Sequence, residues 1–234
     1  SGEFMASIET ARDLASREGW LSLMPAPFRQ AVLERCVLQR FAAGSGIYAV
    51  GDPPGGIYGL VSGSVRVTIA PGDEGPFFAH LMQPGIWIGE GPALSGLPRL
   101  VGLSAGRDSE VLHLPRAAIH AIGEAKPAAW RCIGALPLPN TQMAIGVVND
   151  LMIRDDAKRF IATLLRLGSC RLAQPVRTPP IAVDASQEEL ATMANLARTT
   201  VSALLKRLAA SGLVALDYRR TVILQPDRLR AMLG

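Results

Sequence analysis

Residues 186–224 read SQEELATMANLARTTVSALLKRLAASGLVALDYRRTVIL, and this stretch decides the architecture of the C-terminal part of the chain. Ser186 followed by Glu189 makes a capping box ahead of Leu190 and Met193, which predicts a short helix over about 187–194. Asn195 then sits where the chain must turn tightly, and asparagine tolerates a left-handed conformation better than most residues. A second helix is predicted over about 198–210, with Gly212 just past its end. Its faces separate cleanly. Val201, Leu204, Leu205 and Leu208 fall at i, i+3, i+4 and i+7 and must pack inward, whereas Thr199, Ser202, Ala203 and Lys206 share the opposite face.

That outer face is small, polar and basic, with Arg198 at its N-terminal end. Such a face suits a helix lying in the major groove of DNA. Small residues admit the backbone, hydroxyls and arginine reach base edges, and Lys206 and Arg207 meet phosphate. Leu213–Leu216 and Thr221–Leu224 read as two strands around Asp217-Tyr218-Arg219-Arg220, so two arginines at a hairpin tip are placed to clamp a DNA backbone. A plain helical hairpin with a solvated basic face would account for the charges, but not for the capping box, the turn asparagine and the arginine-tipped hairpin together.

Charge points to the same end. From Arg154 onward there are 13 Lys+Arg and 7 Asp+Glu, whereas the remainder carries 11 basic and 13 acidic residues. A basic surplus confined to one end implies a polyanionic partner there. Just upstream, Asp155 and Asp156 suit a helix start, Phe160, Ile161, Leu164, Leu165 and Leu167 form its buried face, and Gly168 ends it. Gln174–Pro180 reads as an extended connector.

The N-terminal half has a different texture. Residues 8–40 look helical, with Leu21, Leu23, Phe28, Val32, Leu33 and Val37 near helical spacing and Pro25 and Pro27 marking a start. Short β-prone runs then alternate with Gly/Pro turns: Ile47–Val50, Ile57–Val61, Ser64–Ile69, Phe77–Met82, Ile86–Ile88, Leu100–Leu103 and Val111–Leu114. Breakers such as Gly51-Asp52-Pro53-Pro54, Pro71-Gly72 and Pro84-Gly85 separate them, and strands this short imply a small barrel, sandwich or roll. Helical period returns after Pro115. Ala129, Ile133 and Leu136 form one stripe, and Ala144, Val148 and Leu151 another. Pro137 and Pro139 between them predict two helical segments or a sharp kink.

Other chemistries are weighed on the same residues. Ser1-Gly2-Glu3-Phe4 precede Met5 and read as vector-derived, no signal-peptide pattern follows, and no apolar run is long enough to span a membrane, so a cytoplasmic protein is expected. Cys36, Cys132 and Cys170 are odd in number and widely spaced, which suits structural thiols and not a zinc or iron–sulfur site. His80, His113 and His120 share no ligand spacing, and His80 in an apolar strand reads as a satisfied core or edge histidine. The Pro84-Gly85 turn is also found in cupin-type enzymes, but a cupin metal site needs several histidines and a glutamate converging inside the barrel, and only Glu90 and lone histidines are available. No catalytic residue and no metal site is expected.

With these motifs in place, the chain resembles the Crp–Fnr family of bacterial regulators over nearly its whole length. Ser186–Ala191 and Arg198–Leu208 resemble that family's helix-turn-helix. Gly51–Pro54, Tyr58–Val67 and Pro84–Glu90 resemble its cyclic-nucleotide-binding-type roll. The resemblance implies an α+β chain: an N-terminal antiparallel, jelly-roll-like β-roll with flanking helices (residues 5–125), a long interdomain dimerisation helix (126–153, interrupted near Pro137-Pro139) and a C-terminal winged helix-turn-helix (154–234). It implies a homodimer on a two-fold symmetric double-stranded DNA site, RNA polymerase as a partner, and a signal entering at the roll. The expected DNA-facing set is Gln187, Arg198, Thr199, Thr200, Ser202 and Lys206, with Arg207, Arg219 and Arg220 on phosphates.

The expected ligand-binding set in the roll is Gly89, Glu90, Arg99 and Leu100. In cyclic-nucleotide binders of the family, backbone amides and an arginine hold the phosphate while the glutamate grips the ribose. Here Leu100 stands where the hydroxyl donor belongs, and Ala144 and Ile145 stand near the positions of two hydroxyls that meet the base. A cyclic nucleotide (cAMP or cGMP), another small ligand, and a vestigial roll in which Glu90 and Arg99 form a salt bridge all remain open. Thr199 and Ala203 replace the family's usual Glu and Arg, so the preferred half-site is expected to differ from the commonest one. Ala197 at the expected N-cap leaves the start of the recognition helix without a side-chain cap.

Overall fold

The computed structural model describes residues 7–70, 72, 75–172 and 178–234; Pro71, most of the Gln174–Pro180 connector and the N-terminal six residues lie outside them. Three helices open the chain: α1 (Ile8–Arg17), α2 (Gly19–Ser22) and α3 (Ala26–Arg35). Ser7 caps α1, its Oγ accepting from the Thr10 amide at 3.2 Å, and the Pro25/Pro27 pair starts α3. The helical reading of residues 8–40 fails at its end. Val37–Phe41 is a strand, β1, in antiparallel register with the last strand of the roll from Val37↔His113 to Phe41↔Ser109. Its apolar residues carry no alternation, so pairing across the sheet decides its state. Leu23, counted in the helical stripe, is 80% exposed.

The roll continues with β2 (Gly46–Tyr48), β3 (Ile57–Ser62), β4 (Val65–Ile69), β5 (Phe77–Met82), β6 (Trp87–Ile88), a short helix α4 (Glu90–Ser95), β7 (Gly102–Ala105) and β8 (Ser109–Leu114). These make two four-stranded antiparallel sheets, ordered β1-β8-β3-β6 and β2-β7-β4-β5. Within the first sheet Gly59 of β3 stands opposite Trp87 of β6, and a Cβ there would lie 2.5 Å from the Trp87 ring, so no larger residue fits beside that indole. Trp87, Ile57, Leu112 and Leu114 meet Trp20, Phe28 and Val32 from the helices in one buried cluster, and Leu60, Val65, Val67, Leu103 and Val111 fill another. The strand expected over Leu100–Leu103 begins two residues later, and Leu100 itself is 78% exposed.

Helices α5 (Arg116–Ala125), α6 (Ala129–Gly134) and α7 (Pro137–Leu151) follow. The prolines split this region into two segments: Pro137 opens α7 and Pro139 lies in its first turn, where a missing N–H costs no helical hydrogen bond. Ala129, Ile133 and Leu136 are buried as one stripe, but Ala144, Val148 and Leu151 are exposed on this chain.

The remaining elements are α8 (Asp156–Leu167), β9 (Ile181–Val183), α9 (Gln187–Ala194), α10 (Arg198–Ala210), β10 (Val214–Asp217), β11 (Arg220–Ile223) and α11 (Pro226–Ala231). Asp155 caps α8, accepting from the Lys158 amide at 2.8 Å, and the predicted α8 face of Phe160, Ile161, Leu164, Leu165 and Leu167 is fully buried. Two short elements of this C-terminal part escaped the sequence reading, as α4 did in the roll: β9, which joins the wing as a third strand in the order β10-β11-β9, and α11. By packing, the chain falls into two units. One comprises the residues up to Pro76 with Met82–Gln142; the other comprises Phe77–Leu81 with Met143–Gly234.

Candidate nucleic-acid interface and roll interior

In the C-terminal unit the turn between α9 and α10 is built as its sequence dictates. Ser186 Oγ accepts from the Glu189 amide at 3.2 Å, and Glu189 Oε2 accepts from the Ser186 amide at 2.7 Å. Asn195 adopts φ 50°, ψ 55°, the left-handed turn that ends α9. Val201, Leu204, Leu205 and Leu208 of α10 are buried, which fixes its rotation and turns Arg198, Thr199, Ala203, Lys206 and Arg207 to the outside. Ser202 and Thr200 are partly covered at the edges of that face, and Gln187 is half-buried in the first turn of α9. Ala197 supplies no side-chain cap to α10.

The hairpin β10–β11 pairs Asp217 with Arg220 across a two-residue tip of Tyr218 and Arg219. Asp217 Oδ1 accepts from the Tyr218 amide at 2.7 Å and Arg219 takes φ 54°, so the tip projects an exposed Arg219 and a Tyr218 that is 88% exposed. Arg220, expected on a DNA phosphate beside Arg219, opens β11 and already has a partner within the chain. Its Nε lies 3.0 Å from Asp184 Oδ1, and the ion pair ties the base of the wing to the end of β9. Asp184 is the residue of this interface that the sequence reading missed; its signal was an acid beside the capping box. A cleft lined by Gln187, Arg198, Tyr218, Arg219 and Arg220 lies between the start of α9, the start of α10 and the wing.

In the roll, Gly89 at φ 107° lets the chain turn into α4, and a Cβ there would come 2.8 Å from Arg99 Nη1. Glu90 and Arg99 are both buried, at 8% and 3% exposure, yet they do not form the salt bridge expected of a vestigial site. Glu90 Oε1 accepts from Asn140 Nδ2 of α7 at 2.9 Å, and the same amide donates to Trp87 O at 3.0 Å. Arg99 Nη2 donates to Gly56 O at 3.1 Å, while its guanidinium lies 4.1 Å from the centroid of the Tyr48 ring. Tyr58 stacks on His113 at 4.5 Å and packs beside Tyr48 at 5.3 Å.

Burial first, and the Arg99 charge second, hold His113 below the usual imidazole range; burial also raises both tyrosines. Four buried polar atoms in this part of the roll keep no hydrogen-bond partner: Arg99 Nη1, Glu90 Oε2, Tyr48 Oη and His113 Nε2. Buried donors and acceptors left open in this way suit a site that takes polar atoms from outside the chain. Leu100 stands apart from them in solvent. The aromatic residues Tyr48, Tyr58 and His113 and the amide of Asn140 were not singled out as site residues, since no motif marks them.

His80 is buried against Arg166, whose Nη1 lies 3.2 Å from His80 Nδ1, and Arg166 Nε donates to Asp150 Oδ2 at 2.8 Å. Arginine only donates, so Nδ1 is the acceptor and the ring proton sits on Nε2. Among the described residues no group of three or more metal-ligating side chains converges, and no helix is long and apolar enough to cross a membrane.

Residues 38–126 match the family model of the cyclic nucleotide-binding domain, and residues 158–232 match that of the Crp-like helix-turn-helix domain. No curated protein sequence matches the chain. Among solved structures, a CRP-family transcriptional regulator from Thermus thermophilus is similar at 26% identity over 84% of this chain and 96% of its own, with a TM-score of 0.65. FixK2 from Bradyrhizobium japonicum shares 20% identity over 85% of this chain and 98% of its own, with a TM-score of 0.70. The c-di-GMP responsive global regulator CLP from Xanthomonas campestris shares 22% identity over 86% and 99%, with a TM-score of 0.63. The latter two identities speak to fold alone. With two family models together matching well over half of its residues, on a β-roll and a winged helix-turn-helix, the chain belongs to the Crp–Fnr family of transcription regulators.

Proposed function

We propose that the protein works as a homodimer that reads a two-fold symmetric DNA site through α10, contacts RNA polymerase as regulators of its family do, and answers to a signal at the roll. The observation that carries the DNA reading is the outward face of α10. Arg198, Thr199, Ala203, Lys206 and Arg207 are exposed there while every large apolar residue of the helix is buried. On this reading Arg198, Thr199, Ser202 and Thr200 meet bases or sugar, and Lys206, Arg207, Gln187 and Arg219 meet the backbone. Arg220 serves the wing through Asp184 first. Selection of binding sites from random DNA, followed by Arg198→Ala, tests it. The expected outcome is a selected site unlike the commonest family half-site and a loss of about 1–3 kcal/mol with the variant. Undiminished affinity of the variant for the selected site refutes the assignment of this face.

The exposed apolar residues of α7 support the dimer. Leu138, Ile145 and Met152, the last just past the helix end, recur every seven residues at 63%, 54% and 76% exposure, with Val148 at 59% beside them. Burying such a seam needs a second helix of the same kind. Ile145→Glu is expected to yield monomers in sedimentation, and an unchanged dimer refutes this seam.

For the signal, the open polar atoms of Arg99, Glu90 and Tyr48 support a small polar ligand with an anionic group, and a cyclic nucleotide fits that description. Glu90 reaches α7 through Asn140, so a ligand hydroxyl that takes the carboxylate competes with the helix amide. Thermal unfolding with a panel of cyclic nucleotides is the test. A ligand at about 100 times its Kd adds about 2.7 kcal/mol and raises the midpoint by several degrees. No rise with any nucleotide refutes that ligand class.

A further inference from the structure

The N-terminal unit carries a second concavity that the DNA-binding reading does not use. A cleft of roughly 750 Å³ runs between α3 and the α5–α6 segment, a size within the range of small-molecule sites. Met24, Phe28, Ile122, Ala129, Cys132 and Ala135 supply its apolar lining. Glu90, Arg99 and Tyr48 are not among the lining residues, so the cleft is distinct from the polar interior of the roll. Its charged residues are all of one sign: Arg35, Lys126 and Arg131, with no carboxylate in the lining. Arg35 spends one guanidinium nitrogen on the Ala31 carbonyl at 3.0 Å. Lys126 and Arg131 have no side-chain partner among the described residues and remain exposed.

An apolar trough with unpaired cations at its edge matches one kind of small molecule: an aliphatic tail ending in an anion. We propose that this cleft binds a medium-chain aliphatic carboxylate, its tail over Phe28, Ile122 and Ala129 and its carboxylate at Lys126 and Arg131. Apolar contact supplies affinity that grows with tail length, by about four-fold per buried methylene, and the charge-assisted hydrogen bonds fix the head. The floor is firmly held. Trp20 Nε1 donates to the Cys132 carbonyl at 2.9 Å, and the Trp20 ring meets Phe28 edge-on at 5.8 Å. The site thus lies against the same buried cluster that carries Trp87 and the strands of the roll.

The test is equilibrium dialysis of the full chain against labelled decanoate, held below the concentration at which decanoate self-associates. The expected result is saturable binding of one decanoate per chain, weaker binding of hexanoate, and poor competition by decan-1-ol. Lys126→Glu/Arg131→Glu is expected to raise the Kd at least ten-fold, and so is Ala125→Trp, which fills the cleft from an exposed position. All three substituted residues are exposed, and unchanged far-ultraviolet dichroism and melting temperature verify that the variants are folded. Absence of saturable binding overturns the proposal. So does equal competition by decan-1-ol, which leaves the cations without a role, and so does binding that ignores both sets of substitutions.

Discussion

Asp150→Ala removes the carboxylate that faces the buried Arg166. Asp150 is 3% exposed at its side chain and Arg166 7%, with Oδ2 accepting from Nε at 2.8 Å. The second contact, Arg171 Nε at 3.4 Å from Oδ1, is longer and belongs to a side chain 38% exposed, so solvent screens most of its worth. Burial already pulls the Arg166 pKa down, and the hydrogen bond and charge of Asp150 are what push it back up. Without Asp150 the guanidinium stays charged, buried and unbalanced, beside a neutral His80 that accepts only one of its protons. Breaking a buried pair from one side costs about 3–5 kcal/mol. For a chain of this length each kcal/mol moves the midpoint by about 2–4 °C, so Asp150→Ala is expected to melt roughly 6–20 °C below the parent. The double variant Asp150→Leu/Arg166→Met removes both charges and is expected to recover most of the loss, because matched apolar replacement of a buried pair is often neutral. Circular dichroism melts of the parent and both variants decide it. A drop of under about 2 °C for Asp150→Ala, or a double variant no better than the single one, refutes the reasoning.

Burial, helped by the Arg166 charge, holds His80 down to about 3, against about 6.5 when unfolded, so the unfolded chain binds the proton that the folded chain refuses. Stability owed to His80 is therefore lost as pH falls from about 6.5 toward 3, by up to about 1.4 kcal/mol per unit; His80→Asn should flatten the melting temperature between pH 6.5 and 4.5, and parallel curves would count against it. Ser186→Ala removes one half of the capping box and should cost about 0.5–2 kcal/mol in thermal or denaturant unfolding, with no loss excluding a stabilising box. Lys206→Ala should reduce the slope of log affinity against log salt by about 1, and an unchanged slope would place Lys206 off the phosphates.

The legible parts of this molecule were those in which a local rule and the tertiary fold agree. The capping box, Asn195 and the two-faced α10 are each specified within a few residues, and α8 announces its buried face by period alone. β1 was read as helix because Val37 continues a helical spacing; only its pairing with β8, more than seventy residues away, makes it a strand. Separation in sequence, 50 residues in one case and 36 in the other, also hid Asn140 from Glu90 and Asp184 from Arg220. The Glu90–Arg99 salt bridge failed for a related reason. Opposite charges close in sequence invite pairing, but Gly56 O and the Tyr48 ring hold the guanidinium, and Asn140 holds the carboxylate.

The grouping of Phe77–Leu81 with Met143–Gly234 bears on how such a regulator is inherited. Leu81, fully buried, completes the same hydrophobic cluster as Phe160, Leu164 and Leu190, although between about eighty and 110 residues of chain separate it from them. A recombination event that joined residues 143–234 to an unrelated sensor would transplant every residue of the helix-turn-helix and still leave its core without Leu81 and the Phe78 packed against it. The reading head of this protein is a module in its motif but not in its packing, and exchange between regulators would favour partners whose own strand arrives with an apolar residue in that place.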